Sequence, residues 1–123
     1  MIYLERGKER ECFVAFVEDA LGKLAKEKYI SFLSLFDRSM TESDLISCLR
    51  YLDETRPIQK IDGPAQVKCQ NQRIDLFTFA DGKGYHLDYD LTTNGKINDL
   101  TIQVEFIKEK DRYIVVLDDL HTL

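Results

Sequence analysis

A chain of 123 residues, 44% apolar and 32% charged, has the length and make-up of one domain with its own core. It is too short for two such domains and too apolar for a disordered segment. The net charge of −5 sits in one half: residues 1–73 hold twelve acidic and twelve basic side chains, residues 74–123 ten acidic and five basic. That sign argues against nucleic-acid and membrane-surface binding and favours a basic protein partner.

The spacing of Phe13, Phe16, Val17, Ala20, Leu21 and Leu24 predicts an amphipathic helix from Leu4 to Ala25. A second helix is expected from Glu27 to Phe36. Its apolar residues, Tyr29, Ile30, Phe32, Leu33, Leu35 and Phe36, are too crowded for a stripe and suggest a helix wedged between layers. Thr41 begins a capping-box pattern with Asp44. It opens a third helix, Glu42 to Asp53, with Leu45, Cys48, Leu49 and Leu52 inward. Residues 57–64 form a connector punctuated by Gly63-Pro64.

Beyond it the period changes to two. Strands are expected at 65–70, 73–80, 84–92, 99–108 and 112–118. The connections "DGKG" (81–84), "TNGKIND" (93–99) and "KEKDR" (108–112) are short, so the strands should form an antiparallel meander. Three helices followed by strands make a single α+β domain over residues 1–123, with the helices packed on one face of a curved sheet. The seven phenylalanines, Phe13, Phe16, Phe32, Phe36, Phe77, Phe79 and Phe106, sit at core spacing, and nearly all of them are read as packing.

Alternation then sorts the side chains. In "YHLDYDL" (85–91), Tyr85, Leu87, Tyr89 and Leu91 take the core side, while His86, Asp88 and Asp90 face out. In the next strand Leu100, Ile102, Val104 and Phe106 face in, and Thr101, Gln103 and Glu105 face out. Neighbouring strands therefore carry carboxylates on one outer face. Like charges facing each other across strands cost stability, so the face is either a docking surface or the solvated side that keeps the sheet soluble.

Metal and catalytic readings find less support. Residues two apart on a strand are about 6.5–7 Å apart, so His86, Asp88 and Asp90 do not converge on one ion. The second histidine, His121, would have to meet them across strands. Cys12, Cys48 and Cys69 are widely spaced and form no zinc motif. No metal and no cofactor are expected. Nucleophile motifs are absent, and acid–base candidates such as Asp75, Asp88, Tyr29 and Tyr89 share no diagnostic spacing. No catalytic residue is assigned and the protein is not expected to be an enzyme. No apolar run approaches the roughly 18 residues of a membrane span, and no signal-peptide pattern is seen. The expected location is the cytoplasm.

The ending "DLTIQVEFIKEKDRYIVVLDDLHTL" (99–123), with "YDLTTNG" before it and "EKYISFLSLFDRSMTESDLISCLRYLD" (27–53), resembles small bacterial proteins of the nuclear-transport-factor-2-like superfamily. These are cone-shaped α+β domains, and some are immunity proteins of polymorphic or contact-dependent toxin systems. The resemblance implies a cone and a protein that binds and neutralises a cognate toxin, a nuclease among the options. An acidic surface suits a basic nuclease site. His86, Asp88, Asp90, Gln103, Glu105, Asp118 and Asp119 are the candidate partner-binding residues, on a monomer or weak homodimer. The superfamily also includes isomerases and dehydratases. The alternative is thus a small-molecule binder or enzyme whose cone pocket is lined by Tyr29, Phe36, Phe77 and Tyr89.

Overall fold

A computed structural model describes residues 2–3, 7–64 and 71–122. Its elements are β1 (Ile2–Tyr3), α1 (Glu9–Ala25), α2 (Tyr29–Ser34), α3 (Glu42–Leu49), β2 (Ile74–Thr78), β3 (Gly84–Thr93), β4 (Lys96–Glu109) and β5 (Arg112–Thr122). The strands form one curled antiparallel sheet in the order β1-β5-β4-β3-β2. The α+β class and the meander agree with the sequence. The opening strand β1, paired to Tyr113 and Arg112, was not foreseen. The strand expected at 65–70 lies outside the described residues.

The inner face of the sheet carries the core. Leu87, Tyr89, Leu91, Leu100, Ile102, Val104, Phe106, Val115, Leu117 and Leu120 are all buried. Helix α1 lies against them with Phe13, Val17, Ala20, Leu21 and Leu24, the stripe that the spacing defines. The Phe13 ring stacks on Phe106 at 4.0 Å and meets Tyr113 edge-on at 5.2 Å. Phe36 receives Phe32 and Phe16 edge to face and extends the same layer.

Four expectations about the helices and aromatic residues change. Helix α1 starts at Glu9, after Gly7 at φ 88°. Helix α2 is only six residues long and lies at the surface: Phe32 is buried, but Ile30 is 72% exposed. Helix α3 stops at Leu49 because Tyr51 and Leu52 turn left-handed, at φ 56° and 59°. Leu52 is therefore turned outward, 74% exposed, instead of inward. The N-terminal end of α3 does follow its capping signal, the Asp44 amide donating to Thr41 Oγ1 at 3.1 Å. Phe77 is not core: it stands opposite His86 on the outer face of the sheet and is 49% exposed.

One aspartate ties the connector to the sheet. Asn94 and Gly95 both take positive φ at the β3–β4 turn, the geometry that an Asn-Gly pair supplies cheaply. Their amides donate to the Asp62 carboxylate at 3.1 and 2.9 Å, and Thr92 Oγ1 donates to it at 2.9 Å. Asp62 also donates its own amide to the Thr92 carbonyl. Asp62→Ala should remove about 2–3 kcal/mol of stability, read as a lower urea midpoint at unchanged slope, with Asp62→Asn losing less.

Candidate functional site

Register decides which polar side chains meet. Strand β3 pairs with β4 so that His86 faces Glu105, Asp88 faces Gln103 and Asp90 faces Thr101. On the other side β2 sets Asp75 opposite Asp88 and Phe77 opposite His86. Directly opposed residues share a face. Asp75, Phe77, His86, Asp88, Asp90, Thr101, Gln103 and Glu105 therefore lie on the side away from the helices.

Two sub-clusters occupy this face. In the first, Arg73 sits among three aspartates. Its Nε lies 3.5 Å from Asp75 and 3.6 Å from Asp90, and a terminal nitrogen lies 3.8 Å from Asp88. The Arg73 amide and the Thr101 hydroxyl each donate to Asp90 at 3.0 Å. Asp88 Oδ1 is 2.6 Å from His86 Nε2 and accepts from Gln103 Nε2 at 3.1 Å. The side chains of His86 and Asp88 thus bridge a gap that their backbone spacing alone leaves open.

The second sub-cluster comes from a bulge. Val104 pairs with Leu117 and Gln103 with Asp119, so Asp118 is the extra residue on β5. One ligand-type atom each of His86, Glu105 and Asp118 lie within 4.8 Å of one another. Burial, then the neighbouring Asp118, push the Glu105 carboxyl above the usual carboxylate range, with His86 opposing. Along-strand spacing did not reveal this triad, because its members come from three strands and one is delivered by a bulge.

The expected docking residues are thus not equivalent. The side chains of Asp88 and Asp90 are only 10% and 16% exposed, spent on hydrogen bonds within the sheet. Asp75, at 42%, and the exposed Asp118 are reachable from solvent, and Glu105 is half-buried. Asp119 turns to His121, whose Nδ1 is 2.9 Å away.

Asp119 and His121 also border a recess of about 480 Å³ beside Cys48, Tyr51 and Leu120. Burial, then Asp119 and Asp44, push the Cys48 thiol up, the reverse of an activated nucleophile. Cys48 and Cys12 are free and half-buried, while Cys69 lies outside the described residues. The four residues proposed to line a cone pocket do not share one: Phe36 and Tyr89 are in the core, and Phe77 is across the sheet from them. Tyr89 instead donates its hydroxyl to Glu18 at 2.7 Å, and burial followed by that carboxylate pushes the phenol up.

A family model described as a domain of unknown function, DUF7668, matches residues 23–123. The chain belongs to this DUF7668 family. The matched segment contains the whole outer face and begins near the end of α1. No curated protein and no solved structure matches the chain. No helix among the described residues of this DUF7668 member is long and apolar enough to cross a membrane.

The raised Glu105 carboxyl sets a direction for stability. The folded state holds this proton more tightly than the unfolded state, so its contribution is full at low pH. It is lost as pH rises through the unfolded and then the folded pKa. In buffer containing EDTA, Glu105→Gln should be more stable than the parent at pH 7, by up to about 1 kcal/mol. The difference should vanish below about pH 4, as followed by thermal melts across pH.

Proposed function

We propose that this protein is a binding module that docks a basic protein partner on the acidic outer face of its sheet. We further propose that it acts as an immunity protein, neutralising a cognate bacterial toxin. The observation that carries the reading is a sheet face on which, among the described residues, Asp75, Asp88, Asp90, Glu105 and Asp118 gather around Arg73 and His86. Such a face steers a basic partner and repels nucleic acid. Phe77, exposed at its edge, offers the apolar contact that a charged rim needs for tight binding. A nuclease toxin, whose substrate site is necessarily basic, has the matching chemistry. The resemblance to nuclear-transport-factor-2-like immunity proteins supports the same reading, with the curled sheet as one side of the cone.

The burial of Asp88 and Asp90 decides how to test it. Replacing them would break hydrogen bonds from the Arg73 amide, Thr101 and Gln103, so the informative positions are Asp75, Glu105 and Asp118, none of them buried. A toxin gene adjoining this one, expressed with and without the protein, supplies the assay. The parent should protect cells and bind the toxin domain, with affinity falling steeply as salt rises. Asp75→Ser/Glu105→Ser/Asp118→Ser should fold normally and bind at least about tenfold more weakly, a loss of 1.4 kcal/mol or more. Full protection and parental affinity in the triple variant would remove the outer face from the mechanism.

A further inference from the structure

We infer that His86, Glu105 and Asp118 form a binding site for a divalent transition-metal ion, with zinc as the representative ion, on the outer face of the sheet. Three adjacent strands each contribute one side chain. The β3–β4 register sets His86 opposite Glu105, and the β5 bulge adds Asp118 beside them. Their ligand atoms already lie within 4.8 Å of one another. Ligand atoms at about 2.0–2.2 Å from a tetrahedral ion are about 3.3–3.6 Å apart, so side-chain rotations that bring the three atoms roughly 1 Å closer complete the set.

The histidine is held in the manner that metal-binding imidazoles require. Its Nε2 is engaged by Asp88 Oδ1 at 2.6 Å, which makes Nε2 the protonated nitrogen and leaves the Nδ1 lone pair for an ion. Asp88 is itself fixed by Gln103 and Arg73 and is only 7% exposed, so the ring's partner is part of the built sheet. Charge supplies a second, separate argument. Asp75, Asp88 and Asp90 each have the Arg73 guanidinium within 4 Å. Among the described residues no lysine or arginine pairs with Glu105 or Asp118. A divalent cation would satisfy both carboxylates at once.

The ligand set selects the ion. One imidazole with two carboxylates suits zinc and its transition-metal neighbours, whereas magnesium and calcium prefer all-oxygen sites. Three protein ligands leave a position open for water. The site requires no partner protein, so it stands or falls separately from the docking reading.

The test is calorimetric titration of EDTA-stripped protein with zinc chloride, and separately with magnesium chloride. The parent is compared with His86→Gln, Glu105→Gln, Asp118→Asn and His121→Gln, with circular dichroism to confirm the fold of each. The parent should bind one zinc per chain and melt at a higher temperature with it, and should show no magnesium binding. Each of the first three variants should bind zinc at least about tenfold more weakly. His121→Gln, which alters the other His–Asp pair, should bind like the parent. Should His86→Gln fail to fold, Glu105→Gln and Asp118→Asn decide the matter. Absence of stoichiometric zinc binding would overturn the assignment. Binding that survives the Glu105 and Asp118 substitutions, or disappears with His121→Gln, would do the same.

Discussion

Everything on this sheet hangs on the register of β3 against β4. From Gly84 opposite Ile107 to Asp90 opposite Thr101 the two strands run paired without a break. A slip of one residue would send every side chain to the other face. Leu87 and Tyr89 would leave the helices, and Asp88 would enter the core. The helices hold the register from one side, since Phe13 fits against Phe106 and Tyr85 only in this alignment. Asp62 fixes the turn from which both strands leave, and a register shift between Asp90 and Thr92 separates that turn from the paired stretch.

That register also concentrates the charge. Asp75 and Asp88 are placed directly opposite each other, which costs stability unless a cation intervenes, and Arg73 intervenes. The remaining carboxylates, Glu105 and Asp118, are left to each other and to His86. The face is thus uneven: a partly buried half whose three aspartates share Arg73, and a half built on the bulge whose carboxylates have no lysine or arginine partner among the described residues. The first reads as structure. The second carries a cost that the fold does not require, and this is the physical reason for looking there for a bound species.

The period-two alternation made the two faces legible, because strand geometry forces it and the inner positions are almost all apolar. The stripe of α1 was equally plain. What escaped was whatever depends on backbone exceptions or on pairing across strands. Leu52 has the spacing of a core residue, yet the left-handed turn at Tyr51 takes it out of the helix. Phe77 belongs to a set of phenylalanines at core spacing, yet its own alternation with Asp75 places it outside. Asp88 and Asp90 hold outward strand positions, which are usually exposed. Sequence alone does not show that Arg73, Gln103 and Thr101 gather around them. Asp118 was named as a surface residue, but its meeting with His86 needs the register and the bulge together.

The bulge has one more effect. Along its free edge, among the described residues, β5 is accompanied by β1 at Arg112 and Tyr113, and then by Asp37 and Arg38, which bond to Val115 and Leu117. Asp118 follows directly, where that cover ends. An exposed strand edge is a template for another strand, and such pairing needs evenly spaced donors and acceptors. An extra residue breaks that spacing and twists the edge away, and its charge discourages stacking. The residue that brings a third ligand to the face therefore also guards the sheet against edge-to-edge growth into larger aggregates.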